Sequence, residues 1–121
     1  MPGFIDASGY ASLAIPALIQ TGDKDIFPGM GPDAWQLHLT AFEQPPANGT
    51  RLGVTLPGVN HYFGGILGRP ELPGPRPEAQ FADFERLSLA FLRQFTNGKT
   101  PRRADLARLA KSEKALGVLY R

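Results

Sequence analysis

A chain of 121 residues predicts one domain with a modest hydrophobic core, and its 42% share of hydrophobic residues is typical of a globular protein. The formal charge of +2 is too small to indicate a nucleic-acid partner, and none is expected. The absence of cysteine excludes disulfides, a thiolate nucleophile and cysteine-based metal sites.

The apolar run of residues 13–19 does not have the features of a membrane span or a signal peptide. It is too short to cross a bilayer, Pro16 interrupts it, and the first basic residue of the chain is Lys24. We therefore expect a soluble chain with no membrane partner. Its cellular location is left open, with the cytoplasm as the default.

The first predicted strand covers residues 13–22 and leads into a loop with two carboxylates. The run is short and mostly apolar, which favours a strand covered on both faces of a parallel sheet. Pro16 marks its entry, because proline is poorly tolerated inside a central strand. Asp23 and Asp25 follow at the carboxyl end, where open α/β sheets assemble their sites.

A helix is predicted over residues 32–44. Pro32 and Asp33 suit its first turn, since proline needs no hydrogen-bond donor there and a carboxylate favours the amino end. An apolar stripe recurs at helical spacing along this segment: Trp35, Leu39 and Phe42. His38 lies beside the stripe, and we interpret it as a packing or rim residue.

The second predicted strand covers residues 51–56 and leads through a Pro-Gly turn to His61. The order strand, helix, strand predicts a right-handed crossover between parallel strands, and hence the α/β fold class. Parallel strands end at the same edge of a sheet. Asp25 and His61, each just after a strand, are therefore expected to meet at that edge.

Two more helices are predicted, over residues 79–97 and 102–116. The first carries an apolar stripe at three- and four-residue spacing: Phe81, Phe84, Leu87, Phe91 and Phe95. We assign this stripe to core packing rather than to a ligand. The second helix is weaker, and we interpret its basic face as a solvated surface. No second domain is predicted within residues 1–121.

A carboxylate beside a histidine is the acid–base pair of a hydrolytic triad, in which the acid orients the imidazole and the imidazole takes a proton from the nucleophile. Ser8 and Ser12, in an expected entry loop over residues 1–12, do not stand in Gly-x-Ser-x-Gly, the pattern of a nucleophile elbow. Neither is predicted to be the nucleophile. His38 and His61 have no evident third ligand, so neither a metal nor another cofactor is expected.

Residues 17–28 and 52–65 together resemble the carboxyl-terminal part of the α/β-hydrolase fold, most closely its dienelactone hydrolase and chlorophyllase-like branches. In that family a Gly-x-x-Asp turn carries the triad acid, and residues 22–25 (Gly-Asp-Lys-Asp) match it. The resemblance implies that Asp25 is the acid and Asp23 is not. Residues 57–61 (Pro-Gly-Val-Asn-His) resemble the turn into the catalytic histidine, which implies that role for His61.

The family's serine stands on an elbow upstream of the acid, and this sequence contains no such elbow. The resemblance thus implies the carboxyl-terminal segment of a serine-type hydrolase that acts on a small carboxylic ester or lactone. Such a segment, residues 1–121, would supply Asp25 and His61 and would be inactive until a nucleophile-bearing amino-terminal half completes it.

Two alternatives remain open at this stage. Two strands and three helices leave a sheet edge unfilled, which favours a non-catalytic α/β module that binds a partner or itself through that edge. A stand-alone hydrolase would instead use Ser8 or Ser12. Covalent labelling by a serine-directed phosphonate would be its signature.

Overall fold

The computed structural model describes residues 7–44, 51–72, 75–96, 108 and 119–120. Its helices and strands, in chain order, are α1 (Ala7–Ala11), β1 (Ala17–Gly22), α2 (Thr40–Glu43), β2 (Arg51–Leu56), α3 (Glu78–Thr96) and β3 (Leu119–Tyr120). Two 3-10 helices lie between them, Ala34–Leu39 and Phe63–Gly65. The architecture is of mixed α/β character, as predicted.

The sheet is built around a parallel pair. β1 and β2 run side by side from Ala17 opposite Arg51 to Gly22 opposite Leu56, so both strands end at the same edge. This confirms the predicted parallel pairing. β3 was not predicted, and it pairs antiparallel with β2, with Tyr120 opposite Leu52.

β1 is shorter and more exposed than predicted. Residues 13–16 lie outside the strand, and Ile15 among them is 67% exposed. Pro16 accounts for the boundary, because it has no N–H to contribute to a ladder. The prediction that this strand is covered on both faces is wrong for residues 17–20, which are only half-buried, while Thr21 and Gly22 are buried.

β2 is the central strand and is covered on both faces. On one face Leu52, Val54 and Leu56 are buried in a cluster with residues of α3. On the other face Phe42 of α2 lies so close to Gly53 that a Cβ on this glycine would sit 2.9 Å from the phenylalanine ring. Fully burying an aliphatic side chain of this size contributes about 1.5–3 kcal/mol, so these three side chains of β2 contribute substantially to the stability of the core.

The segment predicted as a helix over residues 32–44 divides into two kinds of helix. The 3-10 helix Ala34–Leu39 comes first, and the single α-helical turn of α2 follows. Asp33 makes no side-chain cap hydrogen bond, whereas the Thr40 hydroxyl donates to the Leu37 carbonyl at 2.6 Å. Such a local side-chain bond to the backbone competes with α-helical geometry.

Arg51 fastens α1 and α2 to the start of β2. Its fully buried guanidinium donates hydrogen bonds to the carbonyls of Tyr10, Ala41 and Gln44. A buried cation requires such partners, because its desolvation is otherwise costly. α1, which forms part of the predicted entry loop over residues 1–12, therefore lies at the amino-terminal end of the sheet.

α3 spans Glu78–Thr96, close to the predicted 79–97. Its stripe faces β2: Leu87 and Phe91 are buried, and Phe81 and Phe84 pack against the same cluster. The helix predicted over residues 102–116 lies outside the described residues except for Arg108, which is helical and exposed. Within the described part of the chain, no helix combines the length and the apolar character that a membrane crossing requires.

Candidate active site

The loop after β1 is tied to the loop after β2 by backbone and side-chain hydrogen bonds. The Asp23 N–H donates to the Leu56 carbonyl at 3.2 Å, and the Lys24 N–H donates to the Val59 carbonyl at 3.0 Å. The Gly58 N–H donates in turn to Asp23 Oδ1 at 2.7 Å. Asp23 thus holds the two loops together, a role that the sequence did not suggest.

Gly22 permits the close approach of these loops. A Cβ placed on it would lie 2.0 Å from the Val59 carbonyl oxygen, well inside van der Waals contact. The Asp25 N–H donates to the Gly22 carbonyl at 3.1 Å and closes the turn that presents the acid. The glycine of the Gly-x-x-Asp motif is therefore required for steric reasons in this chain.

The loop after β2, which carries His61 and is called the histidine loop below, is held by residues that precede and follow His61. Asn60 Oδ1 accepts hydrogen bonds from the N–H groups of Tyr62 at 3.2 Å and Gly64 at 2.9 Å, as asparagine side chains do in tight turns. Phe63 follows with φ at 49°, a left-handed conformation that is uncommon for a bulky residue. Its buried ring makes edge contacts with two rings of α3.

Asp25 and His61 are brought together, as the sequence predicts. His61 Nδ1 lies 3.2 Å from Asp25 Oδ2. The Asp25 side chain is 13% exposed and the His61 side chain 59% exposed. A carboxylate only accepts hydrogen bonds, so in the neutral imidazole of His61 the hydrogen lies on Nδ1 and the lone pair on Nε2. This is the tautomer that a general base needs.

His38 also contacts the Asp25 carboxylate, at the same oxygen as His61. Its Nε2 is 3.2 Å from the Asp25 backbone oxygen and 3.5 Å from Asp25 Oδ2, and the side chain is 17% exposed. The interpretation of His38 as a packing or rim residue is therefore incomplete. No spacing rule points to it, because the chain must turn back after Asp25 before His38 can reach the acid.

Two cavities flank the pair, and Asp25, Asn60 and His61 line both. One has a volume of about 280 Å³ and runs along β1 towards α3. The other, of about 470 Å³, has apolar walls formed by Ile26, Phe27, Pro28 and Tyr62.

The Arg69 guanidinium stacks over the Tyr62 ring at 5.1 Å and pairs with Glu71. The hydrogen bond in this exposed pair raises the pKa of Arg69 and lowers that of Glu71. An ion pair of fixed charge therefore lies beside one wall of the larger cavity.

No serine is among the residues that line these two cavities. Ser8 belongs to α1, and Ser12 donates to the Gly9 carbonyl of the same helix at 3.1 Å. Since α1 is fastened to the amino-terminal end of β2, both serines lie at the opposite end of the sheet from His61. A six-residue strand separates its two ends by roughly 17 Å.

Within the described residues, no three or more histidine, cysteine, aspartate or glutamate side chains are grouped so as to hold a metal ion.

Comparisons with protein-family models, with curated proteins and with solved structures found no match to this chain. Its function is therefore inferred from the geometry of the site and from the motifs themselves.

Proposed function

We propose that Asp25 and His61 are the acid and the base of a serine-type hydrolase with an α/β-hydrolase fold, acting on a carboxylic ester or lactone. One observation carries the proposal, namely the 3.2 Å contact between Asp25 Oδ2 and His61 Nδ1. It lies at the shared carboxyl edge of two parallel strands, where such sites are assembled.

In the proposed reaction His61 Nε2 removes the proton of a serine hydroxyl as the oxygen attacks the substrate carbonyl. It then returns the proton to the leaving alcohol. Asp25 keeps the hydrogen on Nδ1 before the attack and stabilises the imidazolium that forms during it. A water molecule repeats the cycle on the acyl-enzyme. The serine and the donors to the carbonyl oxygen come, in this proposal, from a part outside residues 1–121.

The outer edge of β1 is where we expect that part to join. Within the described residues β1 forms a ladder with β2 alone, and β3 takes two positions on the opposite side of β2. An unpaired strand edge favours pairing with another strand. The same edge supports the second candidate function, a non-catalytic module that binds a partner or a second copy of itself.

The two candidates differ in whether a reactive serine accompanies the chain. The test is to express the chain with any coding sequence that precedes its first codon in frame, or with a neighbouring gene product, and to add a serine-directed phosphonate. We expect labelling of a serine in Gly-x-Ser-x-Gly, and a large loss of labelling with His61→Ala. Absence of such a serine from these sequences would contradict the hydrolase and favour the module.

A further inference from the structure

We propose that His38 is a positioning residue that fixes the carboxylate of Asp25 in the orientation that holds His61. This proposal rests on one part of the proposed function, namely that Asp25 and His61 form the acid–base pair. His38 itself belongs to neither sequence motif, and it reaches the site from the 3-10 helix Ala34–Leu39.

Two oxygen atoms of Asp25 lie near His38 Nε2 and determine whether this nitrogen carries a hydrogen. Nε2 faces the backbone oxygen of Asp25 at 3.2 Å and Asp25 Oδ2 at 3.5 Å. A carbonyl oxygen and a carboxylate oxygen are both acceptors only, so Nε2 must be the donor. His38 therefore donates its hydrogen bond to the backbone oxygen of Asp25, and Oδ2 of the same residue lies within ion-pair distance of the same nitrogen. This arrangement links the turn at Asp25 to the direction of its carboxylate.

The carboxylate needs such support because His61 cannot provide it. Within the described residues, the contacts of the Asp25 carboxylate are with His38 and His61. The His61 side chain is 59% exposed, whereas that of His38 is 17% exposed. Ordering an exposed side chain costs conformational entropy, which a partner already held in place reduces.

His38 is held in place by its surroundings. Its 3-10 helix packs against β1, the strand that ends just before Asp25. The Phe27 ring lies 5.6 Å from the imidazole, centroid to centroid, at an interplanar angle of 35°. The loop from Asp25 to Phe27 thus lies against His38, and the imidazole contacts the same carboxylate oxygen, Oδ2, as His61 does.

A matched pair of variants separates this role from simple packing. In His38→Gln the side-chain amide nitrogen lies near the position of Nε2 and can donate to Asp25. In His38→Asn the amide is one bond shorter and cannot reach. We expect the glutamine variant to keep the hydrogen of His61 on Nδ1, and the asparagine variant to move it towards Nε2, changing the tautomer ratio several-fold.

The measurement is a proton–nitrogen correlation spectrum of the chain with nitrogen-15 in its histidines, in which ring nitrogens with and without hydrogen are resolved. It is recorded at increasing pH, and the tautomer is read where the chemical shifts of the ring nitrogens no longer change, so that the neutral imidazoles are compared. Backbone amide spectra establish that each variant is folded. An unchanged tautomer ratio in His38→Asn, or an equal change in both variants, would overturn the proposal.

Two further spectra complete the design. The unmodified chain provides a test that needs no variant and that holds even if His38→Asn does not fold. We expect hydrogen on Nε2 of His38, and hydrogen on Nδ1 instead would overturn the inference. Asp25→Ala serves as the reference for loss of the pair. If this change leaves the His61 tautomer as it was, the acid–base pair fails, and with it the proposed function.

Discussion

Asp25 and His61 meet because hydrogen bonds that do not involve their own side chains join the two loops that carry them. Asp23 accepts from the Gly58 N–H, and the Lys24 N–H donates to Val59. These bonds set the distance between the loops, and the absence of a side chain on Gly22 allows it to be short. The 3.2 Å contact of the pair thus depends on the bonds that hold the two loops together.

Gly22→Ala should therefore disturb both the stability and the site. The new Cβ would lie 2.0 Å from the Val59 oxygen, so the histidine loop must shift. Overpacking of this kind costs about 1–3 kcal/mol of the free energy of unfolding, measured by urea denaturation. Gly31→Ala is the matched control, because a Cβ added there would have no atom within 4 Å. Equal stability of the two variants would contradict this explanation.

The sequence carried enough information to pair Asp25 with His61, since each follows a strand in a recognisable turn. It did not reveal that Asp23 joins the two loops by a hydrogen bond, because no sequence spacing distinguishes such an aspartate from any other near Asp25. It did not reveal His38 as a neighbour of the acid either. That contact depends on how the 3-10 helix folds back on β1, a tertiary relation that local patterns do not encode.

At the scale of elements, α3 packs against the histidine loop. The Phe63 ring lies 5.4 Å from that of Phe81 and 5.3 Å from that of Phe84, centroid to centroid. The Gln80 side-chain amide also donates to the Pro57 carbonyl at 3.4 Å. The helix that covers the core of β2 is therefore the same helix that holds the loop with His61.

Leu87→Ala should reveal how strongly this helix is anchored. Leu87 is fully buried against β2, and truncating a buried leucine costs about 2–5 kcal/mol of the free energy of unfolding. Leu89→Ala is the control on the same helix, since Leu89 is 52% exposed and surface substitutions usually cost within about 0.5 kcal/mol. Urea denaturation measures both. Similar costs would argue against the described packing of α3.

The stripe on α3 shows why the bounds of this helix were predictable from the sequence. The division of the segment before β2 into a 3-10 helix and an α-helical turn was not predictable in the same way. Residues of α3 recur on one face with a period that only a helix satisfies, and the observed bounds differ little from the predicted ones. The segment around His38 has an apolar stripe as well. There, local bonds such as that of the Thr40 hydroxyl favour 3-10 geometry, which hydrophobic spacing alone cannot distinguish.

At the scale of the whole molecule, the parallel register of β1 and β2 gives the site its position. The strands end together at Gly22 and Leu56, so the loops that carry Asp25 and His61 leave the sheet at one edge. Arg51 fastens α1 to the other end, far from the pair. In our proposal, the edge beside Asp25 and His61 holds half of a hydrolytic centre, and the completing part supplies the nucleophile next to His61 Nε2.

If Asp25 and His61 act as one unit, as we propose, a double-mutant cycle on the completed hydrolase will show it. The measurement is kcat for ester hydrolysis by the unmodified protein, Asp25→Ala, His61→Ala and the double variant. Effects of substituting members of a triad are strongly non-additive. We expect a loss of about 10⁴-fold or more for His61→Ala, with the double variant no worse. Losses that multiply in the double variant would show that the two residues act independently.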